Sequence, residues 1–295
     1  MTYFINCIYS LLEIFKNRLN FLIHMNVTYG PHTFGNPLNY LRGGFGAAHD
    51  KLKLTLGRAF KEFELLEKLP GVENPEEINL NFINWGNVQI IYLATIDESK
   101  FAVSINQPHT ALGNIKREYH NLQRLVEIDD RFVVKPHVYF TDHENELFVS
   151  DYVENARCIF AGSGYMHGMF DPLPRYHFET FSPEVSSNVY SAMIALLVRY
   201  HQDGKGIAKT QIAGDDFILT QDFEGDAIPH IKLISARSFV NCSLDEYVDM
   251  LKREFVQGTH YSKVSRGVKV NYKSSLPMPL EDIEKGIEMG MEMRR

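Results

Sequence analysis

Apolar residues recur along this chain at two spacings, one helical and one alternating, and the changes between them divide it into segments. Over residues 48–68, Leu52, Leu54, Leu56, Ala59, Phe60, Phe63, Leu65 and Leu66 stand among charges at helical intervals. Pro70-Gly71 closes the run, so the pattern predicts a helix there. From Ile78 the texture becomes strand-like. Val88, Ile90, Ile91, Tyr92 and Leu93 form one run, Asp97-Glu98-Ser99-Lys100 a turn, and Phe101 to Ile105 a second strand. After Pro108 helical spacing returns, with Ile115, Tyr119, Leu122 and Leu125 on one face. Two more strands, Val133 to Phe140 and Leu147 to Val153, flank the turn Asp142-His143-Glu144-Asn145.

Residues 155–182 carry Gly162, Gly164, Gly168, Pro172 and Pro174 and no periodicity, which predicts a seam. Ser182-Pro183-Glu184 then opens a helix that runs through Val189, Met193 and Leu197 to Tyr200. Two short strands follow, Phe217–Thr220 and His230–Ile234, and then a helix from Leu244 to Phe255. Residues 257–275 are a polar stretch, and the charged terminal helix from Leu280 reads as a frayed tail. Residues 26–45, rich in Gly, Pro, Asn and Thr, also read as a loop. The order β-β-α-β-β, followed by a more helical half, predicts an α+β fold. No repeat of 20–50 residues is visible.

Composition narrows the function. The chain has 295 residues, 44% of them hydrophobic and 23% charged, which excludes a disordered chain. Its net charge of −7, without a dense Lys/Arg block, argues against nucleic acid as a partner, because binding requires positive charge to displace phosphate counterions. Cys7, Cys158 and Cys242 lie far apart, make no zinc spacing and suit a reducing, cytoplasmic setting. The histidines show no HExxH pairing, so metal ligation by them is not expected. Residues 2–24 are the most apolar stretch, but charge follows the apolar run. They read as an amphipathic helix, or as residues upstream of a start at Met25, and no stable membrane insertion is expected.

Several words along the second strand, the following helix and the later strands occur in a telling order. Phe101-Ala102-Val103-Ser104 sits where one family has V-A-I-K, and Glu118 sits in the next helix. Leu147 to Glu154 reads as a strand entering a hinge. Gly206 to Leu219 is similar to a loop written G-I-x-H-R-D-L-x-x-x-N-I-L, and Ile231 to Arg237 to a strand ending in D-F-G. Residues 78–240 thus resemble the protein-kinase-like fold, in the broad sense that includes phosphotransferases of the aminoglycoside type. The resemblance implies a two-lobed α+β body with an antiparallel-sheet N-lobe over 76–154 and a short, mostly helical C-lobe over 155–295. A helical extension over 1–75 precedes it.

That family's chemistry is electrostatic: a Lys on the phosphates, metal ions on an Asp and an Asn, and an Asp that takes the acceptor's proton. Position by position, this chain departs from it. Ser104 stands at the phosphate Lys, Gln211 at the catalytic Asp behind Lys209 and Thr210, and Ser235 at the D-F-G Asp. Gly86 keeps one place of the glycine loop. Losing the general base costs about 100- to 10,000-fold, and each lost electrostatic contact costs roughly 3–4 kcal/mol, though the losses do not add. The resemblance therefore implies a pseudokinase, a scaffold or regulatory protein with a protein partner, rather than an enzyme. Weak ATP binding would use Gly86, Ile91, Ala102, Glu118, Asp151 and Val153, with Mg²⁺ on Asp216. The rival expectation is an atypical ATP-dependent phosphotransferase or nucleotidyl-type transferase whose chemistry has moved to Asp216, Asp222 or Glu224. A third is an assembly subunit using residues 1–75 and the terminal helix. His201 is expected to pack rather than react.

Overall fold

The computed structural model describes residues 26–29, 45–62, 65–73, 77–85, 89–106, 111–142, 144–154, 157–158, 183–210, 212, 216–219, 231–257, 260–265, 268–273 and 278–293. Over these the protein is α+β, with an antiparallel sheet and five helices. It divides into two compact units. One is built on residues 37–110 and 137–150 with the strand Asn26–Tyr29, the other on residues 111–136 and 151–295.

In the first unit, β2 (Glu77–Trp85), β3 (Gln89–Ile96), β4 (Ser99–Asn106), β5 (Pro136–Thr141) and β6 (Glu146–Asp151) make the sheet, in the order β2-β3-β4-β6-β5. β1 (Asn26–Tyr29) joins its edge in parallel with β2, within a stretch that the sequence reads as a loop. β2 itself is absent from the sequence reading. Its alternation of Ile78, Leu80 and Phe82 with Asn79 and Asn81 is the half-buried strand signal, and Ile78 and Leu80 are fully buried. Helix α1 (Phe45–Glu62) contributes Leu52, Leu56, Ala59 and Phe60 to one buried cluster with Ile90, Tyr92, Ala94, Val103 and Ile105. The i, i+4, i+7, i+8 spacing puts those four helical residues on a single stripe, and period-2 alternation gives the sheet its matching face. Leu66–Lys68 form a separate 3₁₀ turn rather than the end of the predicted helix.

The second unit is organised on α3 (Pro183–Asp203), which is buried all round from Val189 to His201. Around it stand α2 (Asn114–Ile128), α4 (Leu244–Gln257) and α5 (Leu280–Glu292). Helix α4 begins with a capping box: Glu246 N–H donates to Ser243 Oγ, and Ser243 N–H donates back to Glu246 Oε2 at 2.8 Å. Tyr247, Leu251 and Phe255 form its buried stripe. Helix α5 is not a frayed tail. Ile283, Gly286, Ile287 and Gly290 are buried, and the two glycines let its backbone close on α3. A Cβ at Gly286 would stand 2.5 Å from the Ser191 carbonyl oxygen, and one at Gly290 2.7 Å from that of Ala195. Asp282 anchors the same contact, accepting from Ser187 Oγ through its carboxylate and from Ser191 Oγ through its carbonyl. The polar stretch 257–275 contains the hairpin β12 (His260–Ser265) and β13 (Val268–Lys273), where Val268, Val270 and Tyr272 alternate with polar residues.

An ionic knot, with Asp129 and Arg199 buried and Arg131 exposed, joins α2 to α3. Asp129, just past the end of α2, faces Arg199 Nη2 at 2.6 Å and Arg131 Nη2 at 2.8 Å, and Tyr200 donates its hydroxyl proton to the Asp129 carbonyl at 3.0 Å. The Arg131 side chain, its N–H and the Arg199 charge outweigh burial and hold the Asp129 carboxyl at about 2.

Candidate functional site

Two small sheets in the second unit carry the residues of interest. Helix α3 ends in a reversal, with Gly206 N–H donating to the His201 carbonyl and Gly206 at φ +89°. That left-handed conformation favours glycine. The chain then enters β8 (Ile207–Lys209), which pairs antiparallel with β11 (Phe239–Asn241), Lys209 opposite Phe239. β9 (Phe217–Leu219) pairs antiparallel with β10 (Ile231–Leu233), Leu219 opposite Ile231. β7 (Arg157–Cys158) lies on the other side of β9. Ile234 N–H donates to the Asp216 carbonyl at 2.8 Å, so the chain leaving β10 runs directly beside Asp216. Glu118, on the inner face of α2, reaches the same stretch: Ala236 N–H donates to its Oε1 at 3.2 Å.

Four charged side chains converge here. Lys209 Nζ lies 2.9 Å from Asp216 Oδ2, and the two side chains are only 2% and 3% exposed. Arg237, 28% exposed, has Nη2 4.0 Å from Asp216 Oδ1 and Nε 3.8 Å from Glu118 Oε2, and donates from Nε to Ser235 Oγ at 3.1 Å. Glu118 is fully buried. Burial raises its carboxyl above the usual range. The Arg237 charge, the Ser235 hydroxyl and Lys209 pull it back, and the Asp216 charge pushes it further up. Two acids thus face two bases, with Arg237 at the partly exposed edge of the cluster. Lys209 covers the Asp216 carboxylate, whereas Glu118 Oε2 is buried without a hydrogen-bond partner, its nearest cation the Arg237 Nε at 3.8 Å.

The sequence-predicted residues fall as follows. Glu118, Asp216 and Ser235 are brought together. Ser104, Ile91 and Ala102 lie in the first unit, on the sheet face opposite the α1 cluster, with Ser104 directly across from Ile91. Asp151 is pinned to Lys135: its N–H donates to the Lys135 carbonyl at 3.0 Å, and its Oδ2 accepts from Lys135 N–H at 3.2 Å. Val153 is half-buried. Gly86, Gln211, Asp222 and Glu224 lie outside the described residues. His201 packs: its Nε2 meets the Cys242 carbonyl at 2.9 Å and its ring stacks on Tyr247. Among the described residues no group of three or more His, Cys, Asp or Glu is placed to hold a metal ion, and no helix is long and apolar enough to cross a membrane.

Glu118 is a buried residue of α2 although Lys116, two positions before it, is exposed. It shares a face with Ile115, Leu122 and Leu125, all buried, and the i, i+3, i+7 spacing carried that signal. Lys209 and Arg237 enter the sequence reading only as departures from a motif. Lys209 stood in an apolar run, Ile207-Ala208-Lys209, whose three residues are all buried, and a buried lysine calls for a carboxylate. No family model matches the chain, and no curated protein matches it.

Proposed function

We propose that this chain is a catalytically silent, kinase-like protein, with lobes at 76–154 and 155–295, that serves a protein partner as a binding or regulatory scaffold. One observation carries the reading: the carboxylate at the metal position, Asp216, is closed by Lys209 at 2.9 Å with both groups buried. A displaced lysine and a second acid, Glu118, do converge on the site, but the lysine is committed to Asp216. Freeing Lys209 for a phosphate would break a buried ion pair at Asp216, which costs roughly 3–5 kcal/mol. At about 1.4 kcal/mol per tenfold, that lowers nucleotide affinity by a factor on the order of 10² to 10³. Mg²⁺ dehydrates reluctantly and gains little from a carboxylate that is covered. ATP with Mg²⁺ is therefore at most a weak ligand. On the same reading the protein works in the cytoplasm, with no nucleic acid partner, in keeping with its net charge of −7.

The test is thermal unfolding with ATP, with and without Mg²⁺ or Mn²⁺, run beside a labelled-phosphate transfer assay. A ligand at 100 times its dissociation constant stabilises by about 2.7 kcal/mol. At ATP concentrations that saturate an ordinary kinase, the expected outcome is no metal-dependent shift and no transfer. A metal-dependent shift with phosphate transfer, both abolished in Asp216→Asn, would establish an active phosphotransferase instead.

A further inference from the structure

The stretch from Ile234 to Ser238 belongs to no strand, and Ser235 and Ala236 within it are 4% and 0% exposed. A buried irregular backbone must find partners for its N–H and C=O groups. At its two ends the partners are backbone: Ile234 N–H donates to the Asp216 carbonyl, and Thr210 N–H donates to the Ser238 carbonyl at 2.8 Å. At its centre they are side chains from a single helix. Ala236 N–H donates to Glu118 Oε1 at 3.2 Å, and Asn121 Nδ2 donates to the Ala236 carbonyl at 2.6 Å. Glu118 and Asn121 are three residues apart on α2, so one helix face grips Ala236 through both of its backbone groups. Neither α2 nor the stretch can shift without uncovering buried polar groups on the other.

We propose that Glu118 and Asn121 form a latch, built into the second unit, that fixes residues 234–238 against α2 with no ligand present. It deepens the non-catalytic reading and rests on it in one respect, the assignment of Ser235 to the position where the resemblance would place a metal-binding Asp. The fully buried Glu118 supplies the acceptor and the half-buried Asn121 the donor, so the two halves can be removed separately.

Amide hydrogen exchange on the full chain, resolved at residues 235–237, tests the latch. Asn121→Ala and Glu118→Ala are expected to speed exchange there by tenfold or more, while amides in β9 and β10 keep their wild-type rates. Glu118→Gln, which retains an acceptor oxygen, should stay within a few-fold of wild type. Unchanged exchange at 235–237 in Asn121→Ala overturns the latch, as does an equal acceleration through β9 and β10, which would mean loss of general stability. Should Glu118→Ala fail to fold, Asn121→Ala decides the matter. The wild type measured with and without ATP and Mg²⁺ separates the two readings. Metal-dependent slowing at 235–237 overturns the non-catalytic assignment, and the latch is then judged on the variants alone.

Discussion

Replacing Lys209 by Met separates a structural lysine from one kept for a ligand. In the wild type the Nζ lies 2.9 Å from Asp216 Oδ2, with both side chains at least 97% buried. Methionine keeps the length and packing of the side chain but takes the paired cation away from the buried Asp216 carboxylate, leaving the Arg237 guanidinium at the longer distance of 4.0 Å. Removing one partner of a buried ion pair typically costs about 3–5 kcal/mol, whereas removing both together is often close to neutral. Lys209→Met and Asp216→Asn should therefore each lower the unfolding free energy by several kcal/mol. The double variant should lose less than the sum, with a coupling energy of at least about 2 kcal/mol. Urea unfolding followed by far-ultraviolet circular dichroism measures all four corners of the cycle. A cost below about 1 kcal/mol for Lys209→Met, with additive behaviour in the double variant, would refute the reasoning. It would mean that the lysine's charge is not committed to Asp216 and is available to a phosphate.

Gly286→Ala on α5 should destabilise, although alanine is the better helix former by about 1 kcal/mol. The new Cβ would lie 2.7 Å from Ile194 Cβ as well as against the Ser191 carbonyl, and such overpacking costs roughly 1–3 kcal/mol. A urea midpoint raised by the substitution would show that α5 does not seat on α3 as described. Asp129, held at about 2 against an ordinary 3.8, contributes stability that is complete above about pH 4 and is lost as pH falls towards 2. The drop should be about 2 kcal/mol in the wild type and absent from Asp129→Asn. Parallel acid limbs for the two proteins in pH-dependent urea melts would remove the ionic knot from the account.

Much of the fold was legible because it depends on local periodicity. The Leu52, Leu56, Ala59, Phe60 stripe of α1, the alternation of β3 and β4 and the Ile115, Leu122, Leu125 face of α2 each follow from how a helix or strand turns its side chains. What failed locally failed for nameable reasons. The asparagines of β2 masked an alternating strand, and the polar residues between Val268, Val270 and Tyr272 hid a hairpin. The charges of α5 read as a frayed tail, whereas its glycines admit a neighbouring backbone.

The candidate site divides along the same line. Sequence alone determined that Ser104, Gln211 and Ser235 are uncharged where the kinase-like resemblance would call for charged groups, because residue type is a property of the chain. Only the tertiary structure decided what Lys209, Arg237 and Asn121 do. Lys209 meets Asp216 seven residues on through two separate strand pairings, and Asn121 meets Ala236 across 115 residues. A charge or an amide acquires a role from what burial places next to it, and that neighbour is set by long-range packing, which no local pattern contains.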